Sequence, residues 1–365
     1  MIRCKLCVIP DTRPDTAFID GVCSACINYA KRPVIDWGSR KKELLALLDK
    51  HGGRCIVPSS GGKDSTYQAM TLLDLGADVT VVTATTCHLT EIGRRNIDNL
   101  ARFARTVEVT PNRTVRAKLN RFGLQMVGDI SWPEHVSIFT TPFRVASALG
   151  ISLIFYGESP QAEYGGPIGT EEGRQLTRRW RSEFGGFLGL RPADLVGSEG
   201  ITERDMQDYT LPREDEAEAY FLGQFIPWDS QRNARVAMAA GMQAALPCEA
   251  NLWEWENLDN AQTGIHDHMM YRKYGYGRLA AQVSVDIRAG RMTREQGMVL
   301  VKERDGLFPS TYAGVHVSRV LERINLPAAQ FQKILDEFTN WDLFEGEYRG
   351  LRPILKEFTC PSRRA

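Results

Sequence analysis

Arg54-Cys55-Ile56-Val57-Pro58-Ser59-Ser60-Gly61-Gly62-Lys63-Asp64-Ser65-Thr66 runs on into YQAMTLLDLG, which closes at Gly76. The first five residues read as a short buried strand, and the stretch after the glycines as a helix. A glycine-rich turn between strand and helix aims backbone N–H groups and a helix N-terminus at phosphate. Gly61 and Gly62 permit close approach, Lys63 adds a point charge, and Ser60, Ser65 and Thr66 offer hydroxyls. The plainer reading is a serine-capped Gly-Gly turn with no ligand. Six suitable residues at a strand–helix junction weigh against it. A Walker A loop is excluded, because it needs glycine at position 57 and Ser or Thr at 64. Those positions hold Val57 and Asp64.

Three further strands are predicted at 78–84, 106–109 and 151–156, and a fifth within AYFLGQFIPWD, ending at Trp228-Asp229. Helical stretches such as TEIGRRNIDNLARFA and TPFRVASALG lie between them. Strands alternating with helices predict an α/β fold, a parallel sheet with helices on both faces. Ligands of such sheets sit beyond the strand C-termini. The loop after 56–58, the segment 83–96 beginning at Thr83, and the segment 157–166 are therefore expected to converge on one ligand site. The last contains Glu158, Glu163, Tyr164, Gly165 and Gly166. Either carboxylate there is a candidate for metal or substrate contact, with Glu158 placed among the catalytic residues; an ordinary turn with solvated acids is the alternative. The domains are expected at 1–50, at 51–230 with an insertion near 167–218, and at 231–365, the last mainly helical. TRRWR in the insertion could meet a diphosphate or form a solvated helix face.

Four of the eight cysteines fall in the first 26 residues: Cys4, Cys7, Cys23 and Cys26. Two C-x2-C pairs, fifteen residues apart, can close a tetrahedral Zn²⁺ site from two tight turns. The segment between them has too little apolar content to fold alone, so metal would supply its ordering energy. Two disulfides and an iron–sulfur cluster are the competing readings. Four protein ligands leave no open position, so the zinc would be structural. Cys55, Cys87, Cys248 and Cys360 form no pair with metal spacing.

The 365 residues are 43% hydrophobic and 25% charged, a globular composition. Lys+Arg and Asp+Glu are 45 each, so the balanced charge argues against a nucleic-acid partner. No apolar run is long enough to span a membrane and no signal-peptide core opens the chain, so a cytoplasmic protein is expected. In the C-terminal third, NLWEWENLDNAQTGIHDHMMYRKYGYGR (251–278) mixes aromatics, acids, two histidines and bases. A buried aromatic cluster with self-paired polar groups is the simplest reading, and His266 and His268 taken singly read as structural. Thr293-Arg294-Glu295-Gln296 has the form of a capping box. Pro327 opens a helix with Phe331, Ile334, Leu335 and Phe338 on one face.

The pattern S-G-G-K-D-S resembles the signature of the PP-loop ATP pyrophosphatases, which split ATP between its α and β phosphates and pass AMP to a substrate oxygen. The resemblance implies that Ser60 to Ser65 grip the pyrophosphate and that Asp64 helps hold Mg²⁺. Within that superfamily the chain resembles the N-acetyl sugar amidotransferases from end to end. The matching stretches are Cys4 to Pro14, Gly21 to Cys26, Ser60 to Ser65, Leu89 to Leu100, Gly157 to Gly166, Gly264 to Asp267, Lys273 to Arg278 and Asp286 to Arg294. Leu279-Ala280-Ala281-Gln282 departs from the more polar stretch expected there. The family implies transfer of AMP to the acetamido oxygen of a nucleotide-linked N-acetyl sugar, then displacement by ammonia to an acetamidino group, in surface polysaccharide or flagellin glycan synthesis. His266, Asp267, Arg278 and Arg288 would lie on the sugar side. Ammonia would come from a separate glutaminase through a synthase-like channelling subunit. The rival is a PP-loop sulfur transferase acting on tRNA, which would use catalytic cysteines such as Cys55 or Cys87.

Overall fold

The computed structural model describes residues 1–14, 16–157, 175–184, 186–212 and 217–358. Its centre is a five-stranded, wholly parallel sheet. The strands are β1 (Arg54–Pro58), β2 (Asp78–Ala84), β3 (Arg105–Val109), β4 (Leu153–Tyr156) and β5 (Glu218–Phe221), in spatial order β3-β2-β1-β4-β5. Side chains alternate between two buried faces, as a parallel sheet requires. Cys55, Val57, Val79, Val81, Leu153 and Phe155 pack with α1 (Trp37–Lys50) and α2 (Lys63–Asp74), through Leu44, Leu48, Ala69 and Leu72. Ile56, Val82, Ile154, Tyr156, Ala219 and Phe221 meet Phe143, Val145 and Ala146 on the other face.

Those last three belong to α5 (Trp132–Leu149), which follows α3 (Glu91–Leu100) and α4 (Arg113–Val127). Here the structure extends the sequence reading, because the helix runs through Pro142 instead of starting beside it. β5 is also shorter than expected. Its pairing with β4 ends at Tyr156↔Phe221, and the chain turns into a 3₁₀ turn at Leu222–Gln224 instead of continuing to 229. Thr177, Arg178 and Arg179 of TRRWR are exposed, as a solvated helix face would be, whereas Arg181 turns inward. That side chain is 2% exposed, with its guanidinium carbon 3.6 Å from the Phe143 ring centre.

The C-terminal region is helical: α6 (Ser230–Ala239), α7 (Thr263–Tyr274), α8 (Arg278–Arg288), α9 (Arg294–Arg304), α10 (Val317–Arg323) and α11 (Ala328–Glu337). Thr293 and Gln296 form the capping box at α9. Pro327 is the N-cap of α11, and Phe331, Ile334 and Leu335 are buried with α7 and α10. The cysteine-rich N-terminus does not stand apart. Val8 and Ile9 pack with Leu279, Ala280, Val283 and Val301 of α8 and α9, so the apolar run at 279–283 is core. Arg294 ties this contact with bonds from Nε to the carbonyls of Cys4 and Cys7, at 3.0 and 3.1 Å. Among the described residues no helix is long and apolar enough to cross a membrane.

Candidate active site

The turn from β1 to α2 is held by its own hydroxyls. Gly61 donates its N–H to Ser59 Oγ at 2.9 Å, and Ser59 donates to Ser65 Oγ at 2.8 Å. Ser65 and Thr66 donate to the Gly62 carbonyl at 3.1 and 2.9 Å. The turn so held opens α2 at the C-terminal end of β1, where a helix N-terminus presents its first N–H groups. Gly61 has φ of +80°, and a Cβ there would stand 2.7 Å from the Ile97 backbone nitrogen. Gly61→Ala is therefore expected to strain the turn and push it off α3. The thermal midpoint should fall, by about 1–2 °C per kcal/mol of strain in a chain of this size, and ATP affinity should fall with it. Calorimetry and nucleotide titration read both.

The turn forms one wall of a cleft of about 500 Å³. Ser60, Gly61, Gly62, Lys63, Asp64 and Ser65 line it, as do His266 and Arg278 from the C-terminal region. Val82, Ala84 and Thr86 come from β2 and its loop, and Tyr156 and Gly157 from β4, so the expected strand ends do meet. Glu158, Glu163, Tyr164 and Gly165 lie outside the described residues. Four sequence candidates stand off the cleft. Thr66 is wholly buried in α2. Thr83 is 2% exposed and turned to the opposite sheet face from its neighbours Val82 and Ala84, because side chains alternate along a strand. Asp267 is buried and holds Arg278 Nε and Nη2 at 2.7 and 2.8 Å. Arg288 sits ten residues along α8 from Arg278, about 15 Å at the helical rise. His268 is structural, as read. It accepts from Arg272 Nε at 2.8 Å, and burial, then Arg272, push its pKa down to about 3.

Inside the cleft Lys63 Nζ lies 2.8 Å from Asp64 Oδ2 and 3.2 Å from Glu256 Oε2. Asn233 of α6 donates to Asp64 Oδ1 at 3.2 Å. Arg278 also faces Glu256, at 3.5 Å. Burial pushes Glu256 up, but Lys63 and then Arg278 outweigh it and hold its carboxyl below the ordinary value. Asp259 has no such neighbour in force, and burial pushes it up to about 6. Among the described residues the lining carries the carboxylates Asp64, Glu134, Glu256 and Asp259, against the cations Lys63 and Arg278. A polyphosphate entering this acidic lining needs a counter-cation. Asp64 and its neighbours are hard oxygen donors of the kind Mg²⁺ takes. Asn233, Glu256, Asp259, Glu134, Asp129 and His135 were not picked out from the sequence. Glu256 meets Lys63 across 193 positions, and nothing local in NLWEWENLDN marks it. Gly93 in the Leu89 to Leu100 stretch is the one trace of this approach. A Cβ on it would stand 2.5 Å from Asp259 Cα.

The four N-terminal cysteines converge. Their sulfurs lie within 4.8 Å of one another, with Cys4–Cys26 at 3.9 Å and Cys7–Cys23 at 3.7 Å. A tetrahedron with bonds of about 2.3 Å has edges of about 3.8 Å. The spacing fits four thiolates around zinc and is far too long for disulfides. Backbone N–H groups of Leu6, Cys7 and Cys23 point at Cys4 Sγ at 3.3–3.5 Å. Cys55 and Cys87 are 0% and 4% exposed. Burial first, then Asp78 and Glu134 respectively, push their thiols up to about 12 and about 11. Neither lines the cleft, so the geometry lends sulfur chemistry no support.

A family model described as the C-terminal domain of the WbpG-like LPS biosynthesis proteins matches residues 251–355. That stretch supplies Glu256, Asp259, His266 and Arg278 to the cleft. No curated protein matches the chain in sequence. Among solved structures, NMN synthetase from Francisella tularensis is similar over 58% of this chain and 99% of its own, at 13% identity and a TM-score of 0.27. That likeness is too slight to bear on function.

Proposed function

We propose that the chain is an ATP-dependent, AMP- and pyrophosphate-forming amidotransferase of the PP-loop kind. It would adenylylate the acetamido oxygen of a nucleotide-linked N-acetyl sugar and replace that oxygen with ammonia, for surface polysaccharide or flagellin glycan synthesis. The observation that carries this reading is the meeting of Lys63 with Glu256 at 3.2 Å. It joins a phosphate-binding turn to a region that matches an LPS biosynthesis domain, in one cleft.

The chemistry suits these parts. An amide oxygen leaves poorly, and AMP bonded to it makes it a good leaving group. The protein must then position reactants and neutralise charge. The α2 N-terminus and Lys63 would meet the departing pyrophosphate, and Asp64 would hold Mg²⁺ against it. Arg278, fixed by Asp267, would face the sugar nucleotide, with His266 and the turn at Glu158 to Gly165 on the same side. Zinc on the four cysteines would brace the N-terminus against α8 and α9. Ammonia would come from a separate glutaminase through a synthase-like channelling subunit, in the cytoplasm.

The test is mass spectrometry of UDP- and CMP-linked N-acetyl sugars incubated with enzyme, ATP, Mg²⁺ and ammonium. The amidine product is expected about one dalton lighter than the amide, by exchange of O for NH, with one AMP per turnover. ADP as the spent nucleotide, or sulfur incorporated into tRNA, would refute the reading.

A further inference from the structure

Between α4 and α5 lies Asp129, 3% exposed. Its Oδ2 is 3.0 Å from His135 Nδ1, and its Oδ1 is 2.8 Å from His266 Nδ1. The backbone N–H of Ser131 donates to Oδ1 as well, at 2.8 Å. Burial alone would raise this carboxyl, but His266 and His135 outweigh it and hold it well below the usual range. An ionised carboxylate only accepts. Both Nδ1 atoms must therefore carry the hydrogen, and in a neutral ring that leaves Nε2 a bare lone pair. The two rings stand edge to face at 5.0 Å, and both line the cleft. Their side chains are 31% and 23% exposed, so the free ring edges are accessible. The charged groups about the pair are Asp129, Glu134, Arg278 and Lys273.

We infer that His135 and His266, held in a single tautomer by Asp129, are the proton acceptor of the cleft and deprotonate the attacking nitrogen. The identity of that proton rests on the amidotransferase reading. When ammonia bonds to the adenylylated carbon, its nitrogen carries three hydrogens and a positive charge. A ring Nε2 takes one of them as H⁺. The freed lone pair forms the C=N bond as the C–O bond breaks, and AMP leaves with the bonding electrons. Asp129 touches no reactant and is a positioning residue.

Two measurements test this. The first is ¹⁵N-histidine NMR of the intact zinc-loaded protein, with His135→Gln and His266→Gln for assignment. Both rings are expected to carry hydrogen on Nδ1 when neutral. Hydrogen on Nε2 would overturn the inference. So would a metal equivalent beyond the zinc held by these rings, since the three donor atoms lie within 4.8 Å and one cation could reach them. The second compares two reactions of the His135→Gln/His266→Gln double variant. Amidine formation should fall by about 100-fold in kcat, far more than pyrophosphate–ATP exchange with sugar and no ammonium, in which no nitrogen attacks, and it should recover in part with added imidazole. Loss of both reactions together, or of neither, would overturn it. Asp129→Asn should move the acidic limb of the amidine pH profile to lower pH, because the imidazolium loses its counter-charge. An unmoved limb counts against the positioning role. If the unsubstituted enzyme shows no exchange at all, the amidotransferase reading fails, and the ring tautomers alone decide the pair.

Discussion

Replacing Lys63 with alanine is expected to abolish measurable AMP formation and to destabilise the protein most near neutral pH. Lys63 is 7% exposed and lies between Asp64 and Glu256 at the α2 N-terminus. Losing one preorganised charge from a transition-state site costs about 10²–10³ in kcat. The structural cost arises from Glu256, whose side chain is 11% exposed. Without Lys63 it keeps only Arg278 at 3.5 Å. Breaking a buried pair from one side costs about 3–5 kcal/mol. The sign with pH follows from the lowered Glu256 pKa. A depressed carboxyl stabilises the fold above its unfolded value and loses that contribution as pH falls through the folded value. The variant lacks this contribution, so its deficit should be full at neutral pH and shrink in acid, below the ordinary value of 4.5. Denaturant titrations at pH 7 and pH 4 check this. An equal deficit at both would mean Glu256 is not the group left unpaired.

The second large effect is expected from the cysteine cluster. Cys23→Ser should lose the bound zinc and release the first thirty residues from α8 and α9, exposing Leu279, Val283 and Val301, each 0% exposed in the intact protein. Apparent binding free energies of structural zinc are about 10–16 kcal/mol in small zinc modules, so the loss should exceed that from any single core truncation. Metal analysis, limited proteolysis near residues 27–36 and dye binding to the uncovered helices read it. Retention of one zinc per chain by the serine variant, with unchanged proteolysis, would refute the site. Released apolar surface on α8 should also disturb Arg278, which opens that helix. ATP turnover is therefore expected to fall although none of these four cysteines lines the cleft.

Much of the architecture could be read along the chain. Strand periodicity between residues 54 and 156 placed four of the five strands, and the Gly-Gly turn placed one wall of the cleft, because both depend on neighbours a few positions away. The C-x2-C spacing carried the cluster of four cysteines for the same reason, since each pair is local and two pairs suffice for one tetrahedron. The fifth strand was drawn too long because its end is set by its partner. β4 stops at Tyr156, and apolar residues beyond Phe221 turn inward without pairing. Within TRRWR only Arg181 departs from a solvated helix face, because a burial over Phe143 leaves no mark on the residues beside it.

What the sequence determined by itself was a set of local devices: a glycine-rich strand–helix turn, two thiol pairs, a capping box and the amphipathic faces of the helices. Each needs only backbone propensity and a period of two or 3.6 residues. What only the tertiary structure decided was which of them share a site. Glu256 against Lys63, and His266 beside His135 on Asp129, are contacts across 193 and 137 positions. Packing of the C-terminal helices over the strand ends makes those contacts. No local pattern can encode them, because the energy that brings the side chains together comes from apolar surface buried elsewhere.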